Sequence, residues 1–512
     1  MSTDSFLSGI ERLSTEKLAR MARHAGASLK MEDKVWSRLK EFRSVVEEKA
    51  SGTESCYGVN TGFGFLADVK IAPDKLEQLQ KNLIRSHACG TGDFARPELV
   101  RALLILRIHT FSLGFSGVTP DCLKTLLGFL EHDILPMIPM QGSVGASGDL
   151  APLAHLALGL MGEGSVLYKG EKMPAIRALE MTGVRALEPS AKEGLSLING
   201  THFMTSMASL AVERAKILSG SADIVAALSL DAFKGSVRAF DPRIHEIRPQ
   251  SGQKLVAENI LKLLDGEDEI RESHKNCGKV QDPYSFRCIP QVHGATRDAV
   301  KYVEDRINIE LNSVTDNPLV FPGGELISGG NFHGQPIALS MDFLGLAISE
   351  LGSISERRIE KLTNPGLSSL PAFITEDSGL NSGYMIPHVV AAALASENKS
   401  LCHPASADSI PTSADKEDHV SMGPIAARQA LKIIDHVSLI LGIELLAACQ
   451  AIDLMKPLKP TPILSVVYNK VREMSPYMAT DRSLSEDFAL IADWIKDGKL
   501  CDLLQDSGFA LS

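Results

Sequence analysis

The residues most able to do unusual chemistry lie in one short run, Gly142-Ser143-Val144-Gly145-Ala146-Ser147-Gly148-Asp149-Leu150-Ala151-Pro152. Its three glycines, spaced three apart, allow backbone angles that other residues avoid. Asp149 and Pro152 then open an apolar helix containing Leu153, Leu156 and Leu160. Three readings are open. The run is a tight turn with a helix cap, or an anion loop, since helix N-termini bind phosphate. Against the anion loop, the Lys-Ser/Thr of a phosphate loop is missing and Asp149 would repel a phosphate. The third reading is covalent. The Gly148 amide nitrogen is an unhindered nucleophile that, in a tightly bent loop, reaches the Ala146 carbonyl carbon. Ring closure with loss of water, followed by loss of the Ser147 hydroxyl, leaves an exocyclic methylene on a five-membered ring. This 4-methylidene-imidazole-5-one (MIO) is an electrophile that no standard side chain supplies. The positive end of the following helix favours charge gathering beside it.

The run Gly142 to Ala154 closely resembles the signature of the aromatic amino acid ammonia-lyases. Other blocks extend the resemblance in the same order, from about Tyr57 to beyond Met422. They are Tyr57-Gly58-Val59-Asn60-Thr61-Gly62-Phe63-Gly64, Asn199-Gly200-Thr201, Gln281-Asp282-Pro283-Tyr284-Ser285-Phe286-Arg287, Thr315-Asp316-Asn317-Pro318, Gly330-Asn331-Phe332-His333-Gly334 and Glu417-Asp418-His419-Val420-Ser421-Met422. His202, Pro283, Phe286 and Lys416 depart from the common pattern, where Gln, Ala, Leu and an uncharged residue are usual.

The resemblance implies a self-formed MIO from Ala146, Ser147 and Gly148, with no external cofactor. It assigns the β-proton of the substrate to Tyr57. A phenol is a weak base at its ordinary pKa of about 10, so it needs positive or hydrogen-bonding neighbours near neutral pH. Tyr284 would support the electrophile's oxygen or relay a proton. Arg287 would clamp the substrate carboxylate with its bidentate fork. Asn199 would bond the ring oxygen or the substrate amine, and Phe332 would form an aromatic wall. His87 falls at the substrate side chain, where it suits an imidazole or a phenol. Glu417 breaks that tie, because a carboxylate accepts from an imidazole N–H and gains nothing beside a phenyl ring. The implied reaction is deamination of L-histidine to trans-urocanate and ammonia. Tyrosine or phenylalanine deamination, or an aromatic 2,3-aminomutase, is the alternative within the same chemistry. A non-catalytic helical scaffold or small-molecule binder is the alternative from another class, and the intact Ala146-Ser147-Gly148, Tyr57 and Arg287 argue against it. Without the resemblance, each of these side chains has a plainer role in packing, capping or ion pairing.

The elements that must position these residues read as mostly α, a long central helical bundle with few short strands. Pro97–Phe115, the stripe Val300, Val303, Ile307 and Leu311, and the amphipathic Glu486–Leu504 all follow helical spacing. Ile337–Leu362 and Ile425–Ile452 are apolar nearly all round, as helices buried among other helices would be. One subunit would struggle to cover both, and the resemblance implies a homotetramer with active sites shared between subunits. Ser165–Tyr168, and Leu319–Phe321 with Leu326–Ile327 across Pro322-Gly323-Gly324, read as short hairpins. We expect an N-terminal portion over 1–200 that carries the active-site and electrophile loops, followed by a long-helix domain over 201–512.

Composition narrows the class further. The chain has 512 residues, 44% of them hydrophobic and 22% charged, enough apolar material for a large core. Lys plus Arg total 52 against 63 for Asp plus Glu, a net charge of −11, which argues against a nucleic-acid partner. No two of the eight cysteines are closer than eleven positions. They read as reduced, mostly buried thiols of a cytoplasmic protein. The stretch Met1–Lys30 has no apolar leader pattern. Val437–Cys449 and Leu150–Met161 fall short of a membrane span, so no membrane association is expected. His388, His403 and His419 are far apart, HExxH is absent and no Cys/His spacing suits zinc, so no metal is expected. Glu417-Asp418-His419 as a cation ligand is the weaker alternative.

Overall fold

The computed structural model describes residues 6–511, so the first five residues of the N-terminal stretch Met1–Lys30 lie outside them. The described residues form twenty-one α-helices and nine strands of two to four residues each. The mostly α expectation holds. Pro97 starts its helix at the first position, where its missing N–H costs nothing. That helix stops at Ser112 rather than Phe115, because Gly114 turns into the left-handed region (φ +92°). The stripe Val300–Leu311 belongs to helix Ile289–Glu310, and the two long apolar segments are helices Gln335–Thr363 and Gly423–Asp453. The amphipathic segment Glu486–Leu504 is two helices, Ser485–Lys496 and Lys499–Asp506. Gly498, at φ +84°, breaks it, while Phe488, Ile491, Ile495, Leu500 and Leu504 remain buried, so the apolar spacing hides the break. Both hairpins form. Ser165–Tyr168 pairs with Glu171–Pro174, and Leu319–Phe321 pairs with Glu325–Ile327 in the register Leu319 to Ile327.

The chain divides into two compact units, and neither is continuous in sequence. The first comprises Met1–Leu210, Glu304–Met341 and Pro404–Arg428; the second comprises Ala211–Val303, Asp342–His403 and Gln429–Ser512. In the first unit, helices Leu76–His87, Leu150–Leu160 and Glu193–Ile198 pack against one another in all three pairings. Leu83, Ile84, Leu153, Leu156, Leu195 and Ile198 are buried there. Full burial of each such side chain stabilises by roughly 1.5–3 kcal/mol, and this apolar knot fixes where the helix ends and their loops stand.

The two long apolar helices differ. Gly423–Asp453 is buried along nearly its whole length. Gln335–Thr363 leaves Leu339, Phe343 and Leu346 exposed, the last two at 43% and 51%. The expectation that one subunit would struggle to cover both therefore applies to one of them. Gln335–Thr363 is also long and apolar enough to cross a membrane, which the sequence reading missed. Its most apolar window is 56% buried within the chain, and Glu356, Arg357, Arg358 and Lys361 follow in its second half, as suits a core helix. All eight cysteines are free thiols. Only Cys122 and Cys449 are buried, so "mostly buried" is corrected: scattered positions set spacing, not depth.

Candidate active site

A cavity of about 780 Å³ opens in the first unit. Tyr57, His87, Ala146, Ser147, Asn199, Phe332 and Glu417 all line it. The packed trio of helices explains part of this convergence. His87 is the last residue of Leu76–His87, Asn199 caps the C-terminus of Glu193–Ile198, and Gly148-Asp149 lead into Leu150–Leu160.

The electrophile loop is bent where the glycines allow it. Gly142, Gly145 and Gly148 have φ of +124°, +71° and +78°. A Cβ on Gly148 would run into the Gly200 carbonyl, and one on Gly145 into the Ser421 hydroxyl. Ser143 Oγ accepts from the Gly145 N–H at 3.1 Å and donates to the Gly148 carbonyl at 3.2 Å, drawing the loop tight. Asp149 stands at the head of its own helix without capping it. Its Oδ2 instead accepts from the Phe203 and Met204 N–H groups at 2.8 and 3.0 Å, so it serves the start of helix His202–Ala232. Burial pushes this carboxyl up to about 7.

Two donors converge on the Ser147 carbonyl oxygen, Asn199 Nδ2 at 3.1 Å and the Gly200 N–H at 3.2 Å. That oxygen would be the ring oxygen after cyclisation, so the site is already built to hold charge there. Asn199 Oδ1 is buried without a hydrogen-bond partner, which suits a substrate ammonium donor. Arg107, fully buried, donates to the Asn199 and Ser196 carbonyls and to His202 Nδ1. Burial lowers Arg107 to about 10 and, together with that guanidinium, drives His202 well below its ordinary value. His202 therefore sits neutral, with Nε2 against the Thr110 hydroxyl at 3.1 Å, and this departure from the family pattern belongs to a buried network outside the cavity lining. These residues fit MIO: the bend, a glycine at 148 where a Cβ would strike Gly200, and a carbonyl with two donors are all present.

Glu417 faces the same point. Its Oε1 accepts from Ser147 Oγ at 3.0 Å and its Oε2 from Thr412 Oγ1 at 2.7 Å. His87 is half-buried, with Nδ1 against the Leu83 carbonyl at 2.8 Å, which leaves Nε2 as its other polar atom. Tyr57 is less helped than the sequence reading required. Burial raises its phenol above 10.0, a Gly64 backbone bond lowers it, and Glu417 raises it again. Lys416 is the Lys or Arg side chain that lines this cavity, at a position where the family pattern is uncharged.

Tyr284 and Arg287 are placed elsewhere. They lie on the short helix Tyr284–Arg287 of the second unit and do not line the cavity. Tyr284 is 72% exposed, and the Arg287 guanidinium sits 4.8 Å from its ring centroid while Nε donates to the Asp282 carbonyl at 2.7 Å. Sequence reasoning gave no role to Arg107, Ser143, His333 or Thr412. Buried Arg107 amid apolar neighbours in Pro97–Ser112 was the one available signal. Among the described residues, no group of three His, Cys, Asp or Glu side chains is placed to hold a metal ion.

Residues 13–473 match the family model described as aromatic amino acid lyase. A histidine ammonia-lyase of Myxococcus xanthus is 46% identical over 98% of each chain, and one of Sorangium cellulosum is 50% identical over 88% of this chain and 89% of its own. Among solved structures, histidine ammonia-lyase from Trypanosoma cruzi superposes with a TM-score of 0.90 at 42% identity, covering 98% of this chain and 95% of that one. Tyrosine aminomutase from Streptomyces globisporus reaches 0.92 at 37% identity over 99% of each. A model match over most of the length and relatives near half identity over nearly the whole chain lead to one conclusion: the chain belongs to the aromatic amino acid lyase family.

Proposed function

We propose that this cavity deaminates L-histidine to trans-urocanate and ammonia. The carrying observation is Glu417, held 3.0 Å from Ser147 Oγ in the cavity that His87 also lines. A carboxylate at that place accepts an imidazole N–H and gains nothing from a phenyl ring. The histidine ammonia-lyases of Myxococcus xanthus and Trypanosoma cruzi support the reading.

The MIO formed from Ala146, Ser147 and Gly148 supplies an electrophile that turns the amine into a better leaving group. Asn199 Nδ2 and the Gly200 amide hold the Ser147 oxygen, where negative charge gathers, without reorganising. Asn199 Oδ1 accepts from the substrate ammonium. Glu417 and His87 grip the imidazole, and Phe332 walls it. Tyr57 takes the β-proton, and since burial and Glu417 hold its phenol protonated, positive charge must be brought to it. The substrate ammonium and Lys416 offer that charge within this cavity. Arg287, which clamps the carboxylate, and Tyr284 reach a site by assembly: the enzyme is a homotetramer whose active sites combine residues of several subunits. The exposed Leu339, Phe343 and Leu346, with Ile386 and Val389 on helix Met385–Leu401, are apolar surface for such contacts. Eight free thiols fit a cytoplasmic enzyme.

A phenol can also donate to Glu417, and the Streptomyces globisporus tyrosine aminomutase has the same fold. Tyrosine is therefore the second reading. Separate incubations with histidine, tyrosine and phenylalanine, followed by product identification, test the choice. Urocanate from histidine, with little product from the other two, is expected. Equal turnover of tyrosine, or a β-amino acid product, would replace this reading with the second.

A further inference from the structure

His333 lines the cavity between the residue proposed as aromatic wall, Phe332, and the segment that ends the cavity at Glu417. Its ring is held on both nitrogens. Nδ1 accepts from the Gln335 N–H at 3.3 Å, at the start of helix Gln335–Thr363. The proton therefore sits on Nε2, which donates to the His419 carbonyl at 3.2 Å. The two imidazoles stack nearly parallel, 5.7 Å between centroids and 7° apart in plane. With one nitrogen spent on the helix and the other on backbone, the ring has no polar atom left for a substrate.

The segment that His333 grips is the one that presents Glu417. On one side, Thr412 and Glu417 exchange two backbone bonds of 3.0 and 3.3 Å. On the other, the Met422 N–H donates to the Val144 carbonyl at 2.8 Å and Ser421 Oγ to the Gly145 carbonyl at 3.1 Å. His419 lies between these anchors, only two residues from Glu417, and both it and Glu417 are outside the buried core. The Val420 N–H also donates to Oγ of half-buried Ser409 at 3.0 Å, and the Val420 side chain is buried with Ala146 and Met422, so the stretch is held from that side as well. His333, two residues ahead of helix Gln335–Thr363 and bonded to its first N–H, is the side chain that holds the His419 carbonyl in the stretch that aims the carboxylate at Ser147.

We infer that His333 is a positioning residue that sets the place of the Glu417 carboxylate by tethering the His419 carbonyl to helix Gln335–Thr363. The inference rests on the reading of Glu417 as the group that receives the imidazole. A shift of about 1 Å at such a group can cost up to about a hundredfold in rate, so a lost tether is measurable.

The test uses the MIO-bearing enzyme, with ring formation verified by intact mass. His333→Phe keeps the stacked ring and removes the donor. His333→Gln keeps an amide donor within reach. The first should lower kcat/KM for histidine about tenfold, mostly through KM, and the second should stay within about threefold of wild type. In a Glu417→Gln background, His333→Phe should change nothing further, because the two act as a unit. Hydrogen exchange provides a readout independent of turnover: amides over 416–420 should exchange about tenfold faster in His333→Phe and as wild type in His333→Gln. Should the phenylalanine chain not fold, His333→Leu takes its place. A wild-type kcat/KM in His333→Phe, or the same loss with and without Glu417, overturns the inference. Normal histidine turnover in Glu417→Gln alone overturns instead the substrate reading on which it rests.

Discussion

The loop Gly142–Asp149 and the helix Tyr284–Arg287 are both parts of the family pattern, yet the chain treats them in opposite ways. The loop is enclosed: its Ser147 oxygen has two donors, its Ser147 hydroxyl meets Glu417, and two of its glycines admit no Cβ. The helix is open: Tyr284 is exposed and Arg287 is occupied with the Asp282 carbonyl and the Tyr284 ring. A covalent rearrangement of the backbone would need the atoms of one chain held close, and this loop is held so within one packed unit. A carboxylate clamp needs only to arrive at the finished site, so it can be delivered by assembly.

The strongest way to break this contrast is Ser147→Ala. It should fold, retain both waters of the peptide spanning 146–148 by mass, and have no measurable turnover, whereas the wild-type peptide should be lighter by two waters. An unmodified wild-type peptide in active enzyme would end the electrophile argument. Next come Tyr57→Phe and Arg287→Ala. Each alone should lose about 10²- to 10⁴-fold, the range of a positioned proton-transfer group. Co-assembled, the two inactive chains should regain activity if the cavity of one subunit receives the arginine of another; a mixture as dead as its parents, or an active monomer by light scattering, argues that each chain is self-sufficient.

Two smaller effects sharpen the cavity side. Because burial and Glu417 raise the Tyr57 phenol, the base form grows as pH rises. Turnover should therefore climb from neutral toward alkaline pH, and a rate falling over that range would remove Tyr57 as base. Asp149 gives the smallest effect, on stability. Its carboxyl is pushed up to about 7 in the fold from an ordinary 3.8, so the folded state holds the proton at higher pH than the unfolded state does. The stabilisation is complete below about 3.8 and is lost as pH rises through about 7. Denaturant midpoints should fall between roughly pH 4 and pH 7, and Asp149→Asn should flatten that decline. An unchanged slope in the variant would show that other groups cause it.

Local order carried most of what could be read from sequence. Ala146-Ser147-Gly148 are consecutive, so their chemistry depends on bond connectivity and a bend that flanking glycines permit. The long helices were legible because apolar periodicity survives averaging over many residues. The same averaging hid Gly498, since the residues on both sides of the break remain buried. It also rated Ile337–Leu362 and Ile425–Ile452 alike, although one exposes Leu339 and Phe343 and the other is covered.

The amino-acid order by itself determined the glycine-rich loop around Ala146-Ser147-Gly148 and the helical class, because each is written in neighbouring residues or a repeated period, while the roles of the scattered polar groups came only through the family resemblance. Tertiary structure alone decided which partners those groups have. Asp149 serves helix His202–Ala232 rather than its own, Arg107 steadies Asn199 from ninety-two positions away, and Glu417 meets Ser147 across 270. Hydrogen bonds act over about 3 Å in space and take no account of separation along the chain, so no spacing rule in a single sequence could have announced them.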